Sequence, residues 1–346
     1  MSSNSQRAQE GELTAGSVVW KQADLSDRSW ADLAEKGVGS TIFHRGDWLS
    51  LEERVWNLKS AHMIALVDSE PAAIFPLFIS GRVLLSPAIF DYGGIAFSAQ
   101  IPDRKKETLV TLGHAALEKA QNRHRCSLLY VRPHYNNYVH STFCRDSGRT
   151  VAQHIAIDLQ PHPDGDPLKH LDKKKRNSIR TALRGSLQFS EVDLTESNDL
   201  EVYLENHSKS KRNHGARPFP RKFFEALVEM PKGTVMVGMV YSANAPVAGI
   251  LGLAGSSVLH VFDAWTKSHP LRGAGDLAYF NLIQHAWNLG LTVDFGRTSA
   301  GVPGLLHYKL QFGGAHHEFG TYRTFLGGRL RGYLALASNH MRWSSH

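Results

Sequence analysis

Apolar residues recur along this chain with two periods, about two residues and about 3.6 residues. Short apolar runs bounded by Gly, Pro, Asn or Ser predict strands, and longer runs at helical spacing predict amphipathic helices. Strands are predicted at residues 17–22, 63–68, 72–79, 83–86, 87–97, 127–132, 150–159, 187–192, 234–240, 247–254, 257–265, 292–296 and 318–325. Helices are predicted at residues 26–36, 46–58, 103–122, 166–185, 196–211, 220–229, 276–289, 303–312 and 331–346.

The predicted elements follow one order twice. Each half has a strand, two helices, a run of antiparallel strands, a helix and a final strand. This order predicts an α+β fold of two related domains, each built on a mixed central sheet. A turn-rich stretch, Pro161-His-Pro-Asp-Gly-Asp-Pro, lies between the halves. The predicted parts are a first domain at 14–160, a linker with a basic helix at 161–185, a second domain at 186–330 and a C-terminal helix at 331–346.

The linker leads into a strongly basic segment. Asp166 suits a helix N-cap, Pro167 suits the first helical position, and Gly185 suits a left-handed C-terminal residue. Residues 169–184 hold seven Lys or Arg and one acid, so their net charge is +6 against +7 for the whole chain. At about 100° per residue the cations form a stripe beside an apolar face. The stripe comprises Lys169, Lys173, Arg176, Arg180 and Arg184.

Two interpretations of this stripe are open. It can be a solvated helix face, which is the usual meaning of a charge run. Its charges repel one another, however, and no glutamate at i±4 relieves them. A polyanion would relieve the repulsion, whether a tRNA, a nucleotide diphosphate or an anionic lipid headgroup. Lys173, Arg176 and Arg180 are the predicted contacts to it.

Composition narrows the class of protein. The 346 residues are 42% hydrophobic and 21% charged, which is ordinary for a folded protein, and the length favours two domains. The two cysteines, Cys126 and Cys144, have no metal-ligand spacing and argue against a disulfide framework. No signal-like segment or long apolar run is present. We expect a soluble cytoplasmic protein whose basic surface can touch an anionic membrane.

Several stretches carry a family resemblance. They begin with Phe43-His-Arg-Gly-Asp-Trp-Leu and Ser86-Pro-Ala-Ile-Phe-Asp-Tyr-Gly-Gly, and continue with Lys175-Arg-Asn-Ser-Ile-Arg. Next is Ser208-Lys-Ser-Lys-Arg-Asn-His-Gly-Ala-Arg-Pro-Phe-Pro-Arg-Lys-Phe-Phe, and the last is Asp294-Phe-Gly-Arg-Thr with the following Tyr-Lys-Leu-Gln-Phe-Gly. Their order and spacing resemble the FemABX aminoacyltransferases and other FemAB-like proteins, which use the GNAT acyltransferase fold twice.

The resemblance implies two tandem GNAT-like domains that transfer an aminoacyl or acyl group to an amine. In FemABX proteins the donor is an aminoacyl-tRNA and the acceptor a peptidoglycan precursor, while relatives serve exopolysaccharide or natural-product pathways. We therefore expect aminoacyl-tRNA as co-substrate, a small-molecule or cell-envelope amine as acceptor, and no tightly bound cofactor. The family also implies that the C-terminal helix can pack on the first domain. One alternative is an acyl-CoA-dependent N-acetyltransferase, and another is a non-catalytic module for an anionic glycan, nucleotide or RNA.

Three residues are candidates for the chemistry. Transfer to an amine needs a neutral amine and a stabilised oxyanion. The resemblance places a substrate-facing lysine at Lys309, for an electrostatic role on the tetrahedral intermediate or on a substrate phosphate. An exposed, inert lysine is the alternative. Its neighbour Tyr308 is a second candidate, with a place in the core as the alternative. Asp263 is a candidate general base for the amine, and a structural or helix-capping carboxylate is the more common role of such a residue.

Four further polar residues are candidates for substrate binding. Arg297 suits bidentate binding of an acidic substrate, or it pairs with Asp294. A kinase interpretation of Asp294-Phe-Gly fails, because the chain has no Gly-rich loop with a strand lysine and no His-Arg-Asp loop. Arg212 and Arg217 flank Gly215 in a polar loop and suit a phosphate or a carboxylate.

Two glycine-containing segments suit a close approach of substrate to the backbone. Asp91, Tyr92 and Gly93 can line a cleft of the first domain or form a plain bulge. Gly273 and Gly275 precede a helix at the position of the GNAT pyrophosphate loop, where N–H groups can bind phosphate. A proline stands three residues before the first glycine, in place of the usual Gln or Arg, which weakens the acetyl-CoA interpretation.

The 19 histidines form no His-Glu-x-x-His motif, and the chain has no Gly-x-Ser-x-Gly elbow. His207, His260, His285 and His307 are scattered, and such residues are more often core or surface residues than ligands. We therefore predict neither a metal site nor a serine hydrolase.

Overall fold

The computed structural model describes residues 18–86, 92–135, 149–267, 271–299 and 301–325. The predicted helix at 331–346, Cys144 and residues 87–91 of the predicted strand at 87–97, which include the candidate Asp91, lie outside these residues. Among the described helices, none has the length and apolar character that crossing a membrane requires.

The secondary structure of the described residues agrees with most of the predicted pattern, but residues 92–95 of the predicted strand at 87–97 lie outside the strands. The helices are α1 (Arg28–Lys36), α2 (Gly46–Trp56), α3 (Asp103–His124), α4 (Pro167–His170), α5 (Lys173–Arg184), α6 (Ser197–Asn213), α7 (Arg221–Val228), α8 (Ala274–Asn288) and α9 (Pro303–Leu310). The first strands are β1 (Val18–Gln22), β2 (Lys59–Ser60), β3 (Met63–Val67), β4 (Glu70–Phe75), β5 (Phe78–Ser80), β6 (Val83–Ser86), β7 (Ala96–Phe97) and β8 (Leu128–Val131). The later strands are β9 (Arg149–Leu159), β10 (Leu187–Glu191), β11 (Val235–Ser242), β12 (Ala245–Ala254), β13 (Val258–Thr266), β14 (Thr292–Asp294), β15 (Thr298–Ser299) and β16 (Ala315–Phe325).

Two predicted elements are each divided in the structure. The predicted strand at 72–79 is two strands, β4 and β5, on either side of Pro76, which has no N–H to continue a ladder. The predicted helix at 166–185 is also two helices, α4 and α5.

Contacts between residues group the chain into two compact units. The first unit comprises Met1–Gly46, Leu58–Val151 and Thr321–His346, and the second comprises Asp47–Asn57 and Ala152–Gly320. The predicted domain boundaries at residues 160 and 186 stay a prediction.

The first unit contains a sheet of order β1-β3-β4-β7, in which all the pairs are antiparallel. Its second set of strands runs β8-β6-β5-β2, with the end of β16 beside β8, and β6 and β8 are parallel. Apolar residues of these strands and of α3 form one core, in which Phe75, Phe97 and Leu109 are almost fully buried. Cys126 belongs to this core as a free cysteine, and burial raises the pKa of its thiol to about 11.

The second unit is built on a mixed sheet of order β10-β11-β12-β13-β14-β9. Its pairs are antiparallel except for β13 and β14, which are parallel. Successive residues of a strand point to opposite faces. Ala264 on β13 accordingly packs into the core that contains α8, whereas Asp263 points to α6. The two halves thus both have the mixed sheets expected of the predicted α+β fold.

Candidate active site

The basic segment is two helices because each begins at its own aspartate. The Asp166 side chain accepts the Leu168 N–H at the start of α4, and the Asp172 side chain accepts the Lys174 N–H at the start of α5. Between them Leu171 is extended and buried. The predicted single helix is therefore wrong. The predicted left-handed Gly185 is wrong too, because its φ is −82°.

The predicted charged and apolar faces both occur on α5. Lys173, Arg180 and Arg184 are exposed, whereas Ile179 and Ala182 are buried. With Lys174, the exposed face carries four cations, and the nearest acid on this helix segment is the capping Asp172. The solvent side of α5 is consequently a positively charged surface.

Lys175 departs from the rest of this charged run because it is buried. Its Nζ lies 2.6 Å from Asp276 Oδ1 on α8. The same ammonium lies 3.3 Å from the ring centre of Tyr308 on α9 and 4.4 Å from that of Phe312. Burial lowers the pKa of Lys175, against the opposing effect of the Asp276 carboxylate. Burial also raises the pKa of Tyr308, so this predicted catalytic residue is a neutral phenol.

Arg176 has a different role from the exposed cations. It is half-buried, and its Nη1 donates hydrogen bonds to the carbonyl oxygens of Lys169 (3.2 Å) and Leu171 (3.0 Å). The guanidinium thereby satisfies carbonyl groups at the end of α4. The structure thus places Arg176 at the junction of α4 and α5.

The two glycines before α8 lie against α5 and α9. Gly273 is left-handed (φ +84°), and a Cβ built on it would lie 2.7 Å from the Ser178 carbonyl oxygen. A Cβ on Gly275 would lie 3.2 Å from Thr266 Cγ2 and 3.5 Å from Tyr308 Oη. These glycines let α5 and α9 approach the start of α8, whose first turn also carries the negative Asp276.

Lys309 points into the protein from α9. It is almost fully buried, and its Nζ donates to the carbonyl oxygens of Gly296 (2.9 Å) and Arg297 (3.4 Å). Asp294 holds the same loop from the other end, since its Oδ1 accepts the Gly296 N–H at 2.7 Å. Asp294 Oδ2 also lies 3.2 Å from Nδ1 of the buried His260. The loop at 295–297 is therefore fixed on both sides, with the half-buried Arg297 at its end.

Asp263 lies in a separate buried network. His207 Nδ1 lies 2.8 Å from Asp263 Oδ2, and Lys211 Nζ lies 2.5 Å from Oδ1. His207 Nε2 accepts the Phe219 N–H at 3.1 Å, so the proton is on Nδ1 and is donated to the carboxylate. Both carboxylate oxygens thus face donors. The candidates Arg212 and Arg217 are exposed nearby in sequence, at the end of α6 and in the loop after it.

The described candidates of the first unit are buried. Tyr92 is fully buried and stacks edge-on against His134, with ring centres 4.6 Å apart. The Gly93 N–H donates to the Arg132 carbonyl oxygen at 2.8 Å. His44 Nε2 lies 3.3 Å from the Gly94 carbonyl oxygen. This segment is held by the backbone and by packed rings.

The structure therefore brings together two groups of predicted residues in the second unit. Gly273, Gly275 and Tyr308 meet around the Lys175–Asp276 pair, and Lys309 meets the loop that contains Arg297. Because Tyr308 and Lys309 are adjacent on α9, the two groups are neighbours. Sequence reasoning missed Asp276, His207 and Lys211 as polar partners. The helical spacing of α5 could have shown that Lys175 shares the face of Ala182.

A known family matches the part of the second unit that contains these candidate residues. Residues 173–310 match a family described as "Acetyltransferase (GNAT) domain". The match begins at the first residue of α5 and ends at the last residue of α9, so it contains every second-unit candidate above. No curated protein matches the chain.

Solved structures are similar over most of the chain. "Crystal structure of FemX" has a TM-score of 0.68 at 11% identity, covering 89% of this chain and 97% of that one. A tandem GNAT protein from the clavulanic acid biosynthesis pathway has a TM-score of 0.58 at 9% identity, covering 90% and 99%. The C-terminal domain of a putative lysylphosphatidylglycerol synthetase from Agrobacterium fabrum has a TM-score of 0.55 at 11% identity, covering 90% and 95%. At these identities the likeness is one of fold, and it confirms the predicted GNAT-like fold class.

Proposed function

We propose that this protein is a GNAT-type acyltransferase that moves an aminoacyl group from aminoacyl-tRNA to an amine. The observation that carries the proposal is the exposed cationic face of α5, which is anchored to α8 and α9 of the GNAT-type region through Lys175. A polyanionic donor bound to this face would lie beside α9, which carries Tyr308 and Lys309, and beside the start of α8, where Gly273 and Gly275 lie. Such a surface raises association rates and affinity for a nucleic acid.

The reaction requires little from the protein beyond positioning and charge. The amine nitrogen attacks the ester carbonyl carbon, and the carbonyl electrons move to oxygen. Collapse of this intermediate expels the ribose oxygen, which takes up the proton lost by the amine. In our proposal Lys309 fixes the loop at 295–297, and Arg297 on that loop binds the acidic part of a substrate or the developing negative charge.

Asp263 has a positioning role in this proposal. Its two oxygens face Lys211 and the Nδ1–H of His207, which leaves it poorly placed to remove a proton from an amine. Instead, it orients His207, whose other nitrogen accepts the Phe219 N–H and so holds the loop after α6. Arg212 and Arg217 belong to this region and are the candidates for contacts with substrate carboxylates or phosphates.

Acyl-CoA is the alternative donor, because Gly273 and Gly275 stand immediately before and within the start of α8. Two features of this turn weaken that alternative. The Ser178 carbonyl oxygen of α5 lies against Gly273, and the Asp276 carboxylate occupies the first turn of α8, where Lys175 already pairs with it. A pyrophosphate at that turn would meet both oxygens. The non-catalytic alternative would use the same cationic face without transfer.

The test compares donors directly. The purified chain is incubated with aminoacyl-tRNA charged with radiolabelled amino acids, or with radiolabelled acetyl-CoA, plus an extract of its native cells as the acceptor source. We expect label from aminoacyl-tRNA to be joined to an acceptor by an amide bond, which is stable to acid and to the mild base that hydrolyses esters. Label from acetyl-CoA alone would establish the alternative donor. Tight tRNA retention without label from either donor would establish the binding module.

A further inference from the structure

Two imidazoles and a carboxylate meet in the turn-rich segment before α4. His162 Nδ1 lies 3.2 Å from Asp164 Oδ1, and His170 Nε2 lies 3.1 Å from the same oxygen. The two imidazole rings are 3.8 Å apart between centres, at 33°. Among the described residues, these three form the His, Cys, Asp or Glu cluster whose ligand atoms all lie within 4.8 Å.

The backbone holds these side chains together before any ion binds. The Gly165 N–H donates to the His162 carbonyl oxygen at 2.9 Å, in a turn where Gly165 is left-handed (φ +64°). Asp166 then caps α4, and the helix places His170 above the turn. The turn and α4 therefore hold the three side chains of the sequence His-x-Asp-x5-His close together in space. Such preorganisation reduces the ordering cost of binding.

Contrary to the sequence-based prediction of no metal site, we propose that His162 Nδ1, Asp164 Oδ1 and His170 Nε2 bind a divalent transition metal of the Zn²⁺ class. Zinc bonds to His nitrogen and carboxylate oxygen are about 2.0–2.2 Å long, so neighbouring ligands of a tetrahedral site are roughly 3.3 Å apart. The two distances to Asp164 Oδ1 are close to that value. Each imidazole binds through the nitrogen that faces Asp164 and carries its proton on the other nitrogen. Two imidazoles with one carboxylate suit zinc and exclude a preference for Mg²⁺.

A lysine is the cation that competes for this carboxylate. Lys169 Nζ lies 3.6 Å from Asp164 Oδ2, and it also lies 3.9 Å from Asp166 Oδ2. Both imidazoles contact Oδ1, and His170 Nε2 also lies 3.3 Å from Oδ2, so the lysine shares only Oδ2 and at a longer distance. It can also turn to Asp166. The His162 side chain is half exposed, so a fourth position remains open to water or to an external ligand.

The position of this site gives it a structural consequence. Gln284 Nε2 on α8 donates to the Gly165 carbonyl oxygen at 3.1 Å, and the His170 ring lies 5.7 Å from that of Trp287 on the same helix. At the other end of α4, Arg176 holds the Lys169 carbonyl oxygen. A metal joining the turn to α4 would thus stiffen the connection that leads to the cationic face of α5. Metal binding at this site does not depend on the proposed transfer reaction.

The test is calorimetric titration of ZnCl₂ into the full chain, freed of metal by a chelator. We expect one strong site per chain, and His170→Ala and Asp164→Asn should each weaken it at least about tenfold, since a three-ligand site loses a ligand. His285→Ala is the matched control, because His285 is a surface histidine 3.5 Å from a single carboxylate, Glu191. MgCl₂ should give no comparable binding.

A second readout identifies the place of binding. Co²⁺ quenches fluorescence of a nearby indole, and Trp287→Phe should remove most of the quenching that the wild type shows. His162→Ala, at a half-exposed side chain, tests the ligand set in a variant whose fold is undisturbed, as checked by its melting temperature without metal. The proposal is overturned if the wild type binds Zn²⁺ only weakly and His285→Ala shows the same weak binding. It is equally overturned if the three ligand variants retain wild-type affinity.

Discussion

Lys175 Nζ lies 2.6 Å from Asp276 Oδ1 and 3.3 Å from the ring centre of Tyr308. The Lys175 side chain is 3% exposed and that of Asp276 is 13% exposed. One contact thus joins α5, α8 and α9 in a place from which water is largely excluded. Removing one member of such a pair leaves the other charge buried without compensation, which is strongly destabilising.

We therefore expect Lys175→Met to lower the free energy of unfolding by about 3 kcal/mol. The matched control is Lys174→Met, at the exposed neighbouring position, which should change it by less than about 0.5 kcal/mol. Lys175→Met combined with Asp276→Leu should recover most of the loss, because no buried charge remains. Urea unfolding followed by circular dichroism measures all three variants. Equal stability of the two single variants would contradict this account of the contact.

Lys175 also shows how far the sequence could predict this region. Helical spacing correctly separated the exposed Lys173, Arg180 and Arg184 from the buried Ile179. It could not identify the partner of Lys175, because Asp276 is 101 residues away and no local pattern connects them. Periodicity reports which face of a helix is buried. It does not report which distant carboxylate compensates a charge on that face.

The same limit explains the other differences. The break between α4 and α5 depends on Asp172, a capping residue that sequence reasoning counted only as one acid within a basic run. The network around Asp263 depends on His207 and Lys211, which are 56 and 52 residues before it on another element. Strands and helices follow local patterns and were predicted well. Polar networks depend on tertiary contacts and were not.

The exposed face of α5 predicts a salt-dependent interaction with the donor. Lys173→Ala/Arg180→Ala/Arg184→Ala should weaken the binding of aminoacyl-tRNA at least about tenfold at low salt, because each cation displaces a counterion. The slope of log K against log salt concentration should flatten by about 2 to 3 units for three lost phosphate contacts. Filter binding at several salt concentrations measures both.

A charge-matched control separates this surface from net charge. Lys21→Ala/Lys59→Ala/Lys232→Ala removes three exposed lysines elsewhere, and it should leave the slope nearly unchanged. Equal flattening by both triple variants would mean that the whole protein, rather than α5, attracts the polyanion. If the α5 variant is unfolded, these three cations are needed for the fold, and the structural interpretation of the stripe holds instead.

Arg176 should behave differently from its exposed neighbours. Its guanidinium donates to two carbonyl oxygens at the α4–α5 junction, and Arg176→Ala leaves those acceptors without this donor. We expect a loss of about 1–2 kcal/mol in unfolding free energy. The salt slope of tRNA binding should stay within error of wild type. A flattened slope at full stability would restore the sequence-based prediction that Arg176 contacts the donor.

Lys309 offers a test of positioning against direct chemistry. Lys309→Met keeps the length of the side chain but removes the donors to the carbonyl oxygens of Gly296 and Arg297. We expect about 1–3 kcal/mol lower stability and at least about tenfold slower transfer, since the loop that carries Arg297 loses an anchor. Arg297→Lys should slow transfer without loss of stability, because its charge is retained while its planar fork is lost.

These two variants separate the roles. If Lys309→Met is fully stable and yet inactive, the ammonium acts directly on the reacting groups. If Lys309→Met transfers at the wild-type rate, Lys309 has no part in the reaction, and the assignment of this loop fails. Initial rates and urea unfolding, measured on the same preparations, distinguish the cases.

His44 makes the stability of the first unit depend on pH. The ring is fully buried, its Nδ1 accepts the Thr41 N–H at 3.2 Å, and its Nε2 faces the Gly94 carbonyl oxygen. Burial lowers the pKa of His44 from 6.5 to about 4. Between these values the unfolded chain binds a proton that the folded chain does not, so stability is complete above about pH 6.5 and falls as the pH is lowered towards 4. This group alone should remove about 2 kcal/mol between about pH 7.5 and about pH 5.

Urea unfolding at the two pH values measures this loss. His44→Asn retains an acceptor for the Thr41 N–H but cannot titrate in this range. The difference between its free energies of unfolding at the two pH values should therefore be about 2 kcal/mol smaller than that of the wild type. His316→Gln, at an exposed histidine, should keep the wild-type difference. An unchanged pH difference in His44→Asn would mean that other groups, and not this buried imidazole, cause the acid sensitivity.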